Sequence, residues 1–179
     1  MEKVFAINYL CVYAMIEMVL KDIGKKDLDQ IHLANQFGVT LPAGEYIEGV
    51  SNVEYCTDER ECGAHIDIDR LNSFFSEKGI PLNASYIKAN PFDCYDKAER
   101  HDAHMYIIYL YSYGSLNNDI EKKNVGHASM KIDNIENGIV SIYDPGPLGA
   151  GIKKIRLNKM YDAISDCNGG ILILERISK

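Results

Sequence analysis

From Val4 to Leu20 the chain is almost wholly apolar, and this stretch limits the possible folds more than any other. A helix that is apolar nearly all round up to Glu17 must be buried on most sides. Asn8 can cap it, Gly24 can end it, and Glu17–Lys21 is a well-oriented i,i+4 pair, so a helix is expected from Asn8 to Ile23. Other readings of the run fit less well. Glu2 lies ahead of it, Asn8 and Glu17 lie within it, and no A-x-A-like cleavage site follows, all against a signal peptide. Bulky Leu10 occupies the position before Cys11 where a lipoprotein site needs a small residue. The run is also shorter than the ~20 apolar residues of a membrane span. It is read as a core helix, with no membrane insertion and a cytoplasmic location.

The length of 179 residues suits one domain over 1–179 and suffices to bury a core without staples. Nineteen Lys and Arg against 26 Asp and Glu give a net charge of −7. Nonspecific nucleic-acid binding needs cations to displace phosphate counterions, and no basic cluster here exceeds Lys25-Lys26 or Lys122-Lys123. The five cysteines (11, 56, 62, 94 and 167) are odd in number and irregular in spacing. That fits reduced thiols in the cytosol better than a secreted disulfide framework.

Asp27 to Phe37 reads as an amphipathic helix capped by Asp27, and residues 39–67 as loop. Ile68 to Lys78 reads as a third helix, and Leu82 to Lys88 as a strand. Met105 to Tyr111 is a strand by its β-branched and aromatic content. Tyr109, Tyr111 and Tyr113 share a face of a regular strand and are expected to pack against a helix. A polar loop, 114–124, precedes strands at His127–Asp133 and Ile139–Asp144, joined at Asn137-Gly138. A short helix at Asn158–Ser165 and a strand at Gly170–Arg176 close the chain. Helices first and strands later indicate an α+β fold with an antiparallel sheet.

Three residues in this order can carry chemistry. Cys11 lies in the first turn of the buried helix, where the partial positive charge of the terminus favours a thiolate. His127 opens one strand and Asp144 closes the next. If these strands pair antiparallel, their ends meet, and Asp144 can orient an imidazole that takes the Cys11 proton. The two face each other when paired residue numbers sum to 271, which needs a turn centred between Ile135 and Glu136, for example a four-residue loop at 134–137. A two-residue turn at Asn137-Gly138 gives 275 and sets Lys131 opposite Asp144; a longer loop with Gly138 as a bulge restores the first register. Two of these residues also have a plainer reading: Cys is a common core residue, and Asp144-Pro145-Gly146 is turn chemistry. His32, on the second helix, is read as structural or exposed.

Three segments carry a resemblance. Asn8-Tyr-Leu-Cys11-Val-Tyr-Ala14-Met with its helix to Gly24 is similar to the nucleophile helix of the papain-like cysteine peptidases. Gly126-His127-Ala-Ser-Met-Lys and Val140-Ser-Ile-Tyr-Asp144-Pro145 are similar to their His and Asp-Pro strands. Leu157-Asn-Lys-Met-Tyr-Asp-Ala-Ile with Gly170-Ile-Leu-Ile-Leu is similar to their closing helix and strand. The chain resembles most the branch containing the bacteriocin leader peptidases that cut after double glycine. The resemblance implies a papain-like fold, with the nucleophile helix packed on an antiparallel sheet. It also implies a Cys11–His127–Asp144 triad acting through an acyl-enzyme, with no cofactor. Two departures stand out. Val12 replaces the Gly that follows the nucleophile, and no Gln precedes Cys11 to complete the oxyanion hole. Asn8, read first as a helix cap, is the nearest amide and the candidate donor.

The functions compatible with this pattern are a peptidase or amidohydrolase, an acyltransferase using a carrier-bound thioester in natural-product biosynthesis, and an inactive binding or immunity module. The corresponding partners are a peptide or an acyl carrier. No motif specifies an oligomeric state. A rival constellation, Cys56, Cys62 and His65 with Cys94, His101 or His104 as a fourth ligand, offers zinc-ligand types without the paired C-x2–4-C spacing that marks structural sites.

Overall fold

The computed structural model describes residues 1–58, 61–88 and 104–177. The apolar run forms helix α1, Cys11–Asp22, in which every residue from Val12 to Leu20 is buried. Glu17 is the one charge in that stretch, and its burial is matched on both oxygens. Oε1 meets the Lys21 ammonium at 2.8 Å, and Oε2 accepts from the Gln30 backbone N–H at 2.9 Å. The Gln30 side chain in turn accepts from Ile7 N–H at 2.8 Å and donates to the Phe5 carbonyl at 2.9 Å. A buried acid thus fixes the segment that leads into the N-terminus of α1, and matching every polar atom avoids the cost of an unpaired buried charge.

Helix α1 starts later than its sequence suggests. Its N-cap position is Leu10, and no side chain caps it. Ile7 to Leu10 form a turn closed by Leu10 N–H to the Ile7 carbonyl at 2.9 Å, with Tyr9 at φ 68°. A left-handed tyrosine costs about 1–2 kcal/mol against a glycine. Helix α2, Gln30–Phe37, is capped by Asp29 rather than Asp27.

Residues 39–67 are not simply loop. They hold a small sheet in which β1 (Val39–Pro42) pairs parallel with β2 (Val53–Cys56) and antiparallel with β3 (Gly63–Ala64). These strands are two to four residues long and carry no extended alternation, which hid them among Gly and polar residues. Helix α3, Ile68–Glu77, capped by Asp67, packs on β4, Leu82–Lys88.

The main sheet adds β5 (Met105–Ser112), β6 (Gly126–Lys131), β7 (Ile139–Asp144), β8 (Gly151–Arg156) and β9 (Gly170–Arg176). Its order is β4-β9-β5-β6-β7-β8, antiparallel throughout. Strand β8 was not foreseen. Tyr113 does not continue the strand face but opens a short helix, α4 (Tyr113–Asn117), which runs into the expected loop 114–124, and Leu157–Asp166 is α5. The two sheet faces have separate cores. Helix α1 meets Ile108, Ala128, Met130 and Tyr143 on one, and α5 packs Met160, Ala163 and Ile164 against Tyr109, Ile142 and Ile171 on the other. Tyr109 therefore does pack against a helix, as its spacing suggests. Among the described residues no helix is long and apolar enough to cross a membrane.

Candidate active site

The β6–β7 hairpin sets the site. Asn137 and Gly138 both have positive φ, 52° and 71°, and Glu136 bridges Ile139, so the tight two-residue turn forms. Its register does not persist. Met130 pairs with Tyr143 and Lys131 with Ile142, so paired numbers sum to 273, between the two expected values. The cause is a bulge: Asp133, Asn134 and Ile135 stand opposite Val140 alone, between the Ile132–Ser141 bond and the Glu136–Ile139 bridge. Asp144 then lies opposite Ser129, with His127 as its diagonal neighbour on the same face. A carboxylate and an imidazole can span that diagonal.

They do so. His127 Nε2 donates to Asp144 Oδ1 at 2.8 Å, with His127 4% and Asp144 0% exposed. Cys11 and His127 line the same cleft, and since Nε2 is taken by Asp144, Nδ1 is the ring nitrogen left to face the thiol. Tyr111 and Tyr113 meet the imidazole edge-on at 5.7 and 5.4 Å. Burial alone would push the imidazole pKa down. The hydrogen bond to Asp144, together with the neighbouring Cys11, outweighs it and raises the pKa to about 9. Burial likewise opposes ionisation of Asp144, but His127, Lys153 and the Gly146 N–H hold its pKa below the usual value.

Cys11 and His127 line a cleft of about 670 Å³, with Asp144 buried behind the imidazole. Asn8, Gly63, Tyr86 and Asn168 are among its walls. Asn8 is exposed and does not cap α1, so the turn through Tyr9 leaves it beside Cys11 at the cleft. A second groove, bounded by Ile7, Ile31, Glu45 and Glu48, adjoins it through Asn8 and Tyr9.

Two of the candidate zinc ligands are bonded to each other. Cys56 and Cys62 form a disulfide with Cα atoms 6.6 Å apart, so neither is the reduced thiol expected of them. The pairing of β1 with both β2 and β3 brings the two ends of their loop together. His65 Nε2 is engaged by the Thr40 hydroxyl at 2.6 Å. Among the described residues no group of three His, Cys, Asp or Glu could hold a metal. His104 sits just before β5, where its carbonyl accepts from Arg176 N–H. Cys94 and His101 lie outside the described residues.

Sequence reasoning missed Lys153. Its ammonium meets Asp144 Oδ2 at 2.6 Å from the neighbouring strand β8. The available signal was a lysine on the inward side of Gly-Ile-Lys-Lys-Ile-Arg, a short pattern directly after the Asp-Pro turn.

No family model and no curated protein matches the chain. A solved crystal structure from Bacillus anthracis, described as a "putative C39-like peptidase", is similar with a TM-score of 0.62. It is 16% identical, and the likeness covers 96% of this chain and 91% of that one. At that identity the likeness shows the fold. The chain shares the α+β architecture of that structure, with helix α1 packed on an antiparallel sheet.

Proposed function

We propose that this protein is a papain-like cysteine peptidase or amidohydrolase acting through Cys11, His127 and Asp144. The supporting observation is a buried imidazole held by Asp144 that lines the same cleft as Cys11, the first residue of α1. In the proposed reaction Cys11 Sγ attacks the substrate carbonyl as a thiolate. Negative charge gathers on the carbonyl oxygen, stabilised by the Cys11 backbone N–H and the Asn8 carboxamide. The intermediate collapses as the C–N bond breaks and His127 gives its proton to the leaving amine. Water then attacks the thioester, with His127 as base, and releases the acid and the free thiol. An amine replacing that water would make the same unit an acyltransferase, and a peptide cut after double glycine would place it with the bacteriocin leader peptidases.

Two experiments test this reading. Iodoacetamide at pH 6 is expected to alkylate Cys11 ahead of Cys94 and Cys167, scored by peptide mass spectrometry. Cys167 makes a good internal control, because burial raises its pKa. Equal, slow labelling of all three would leave only a binding module. Asn8→Ala is expected to lower kcat by about 10²–10³, the cost of one oxyanion donor, with KM little changed. An unchanged kcat removes Asn8 from the site.

A further inference from the structure

Asp144 is fully buried, and its two oxygens are used unequally. Oδ1 accepts from His127 Nε2 at 2.8 Å and from Gly146 N–H at 2.9 Å. Oδ2 accepts from Lys153 Nζ at 2.6 Å. The lysine is itself held. Its ammonium lies 5.6 Å from the centre of the Tyr113 ring, and Tyr113 donates its hydroxyl to the Leu148 carbonyl at 2.7 Å. The same ring is the one edge-on to His127. Gly149 closes the arrangement: a Cβ there would sit 3.2 Å from both Lys153 Nζ and the Tyr113 hydroxyl. Lys153, Asp144, His127 and Tyr113 therefore form a ring of contacts built from β8, β7, β6 and α4.

Building on the triad proposed above, we propose that Lys153 is a positioning residue. By holding Oδ2 it fixes the carboxylate with Oδ1 against His127, and by its charge it sets the alkaline limit of the thiolate–imidazolium pair. The sign follows from like charges. An ammonium one carboxylate away disfavours the imidazolium, so removing it makes His127 more basic. The other groups around the pair are Cys11 from α1, Tyr111 from β5, Tyr143 from β7, Tyr113 from α4, and the cations Lys122 and Lys3. Burial raises the pKa of Tyr111 and Tyr143. Lys122 and Lys3 stand over the rings of Tyr113 and Tyr143. All of these are retained when position 153 alone is changed.

The test uses the full chain as wild type, Lys153→Met and Lys153→Arg. It reads the pH dependence of Cys11 alkylation, and kcat and KM on a cleaved peptide. Lys153→Met is expected to move the alkaline inflection upward by about half a unit or more. It is also expected to lower kcat about ten- to a hundred-fold with KM nearly unchanged, because the imidazole is less well oriented. Lys153→Arg keeps the charge and is expected to keep the inflection of the wild type. An unmoved inflection and kcat in Lys153→Met overturn the inference, as does a shifted inflection in Lys153→Arg should Lys153→Met fail to fold. A wild type without any alkaline inflection would instead overturn the triad.

Discussion

Cys11→Ala is expected to abolish turnover, by about 10⁴–10⁶ in kcat, while the protein stays folded. The two halves of this result rest on different properties of one position. Cys11 is the first residue of α1 and only partly buried, whereas the packing of that helix begins at Val12. Alanine is a good helix former, so the change should alter stability by no more than about 1 kcal/mol. Chemical denaturation checks this alongside the assay. Loss of folding would mean the thiol is a core group. Retained turnover would mean the nucleophile lies elsewhere.

Asp144→Ala has a second large expected effect, and it damages stability as well as activity. The carboxylate accepts from an imidazole, an ammonium and a backbone N–H, and is wholly buried. Its removal strands all three donors. Breaking a buried pair of this kind costs about 3–5 kcal/mol, read as a lower urea midpoint. The kcat is expected to fall by about 10²–10⁴, the usual worth of positioned acid–base catalysis.

The pH dependence separates this variant from those at Lys153. His127 has its folded pKa raised to about 9, so the pair contributes fully below the unfolded value near 6.5 and loses that contribution as pH rises through 9. Asp144 has a lowered pKa, so its contribution is present above the ordinary carboxylate value and is lost only as acid protonates the folded group. Without Asp144, burial of His127 loses its strongest opponent and the alkaline inflection moves down, whereas removing Lys153 moves it up. An Asp144→Ala protein with wild-type stability and profile would show that the carboxylate is only a turn residue.

The α+β class, the buried first helix and the pairing of His127 with Asp144 were legible because each rests on a long periodic run or a marked turn. The hairpin register was not. The Asn137-Gly138 turn was read correctly, but the bulge at 133–135 depends on Ile132 bonding Ser141, a tertiary preference without a local signature. Asn8 shows a related limit. It has the chemistry of a cap, yet the turn through Tyr9 puts Leu10 at the N-cap position and releases the amide. The disulfide was hidden because compartment arguments weigh cysteine counts, whereas the β1 pairings decide which sulfurs meet. Lys153 was missed for the same reason: nothing in its own segment says that the neighbouring strand ends on a buried acid.

The position of β9 bears on when the thiol can become reactive during synthesis. The last strand of the sheet in sequence lies between β4 and β5, so among the described residues β4 has no hydrogen-bonded neighbour in the sheet until residues 170–176 arrive. A ribosome that has already released Cys11, His127 and Asp144 still holds a chain whose sheet lacks an interior strand. Such long-range closure is slow compared with forming a local hairpin. Under the proposed mechanism, Cys11 would leave the ribosome well before the sheet beside it is complete.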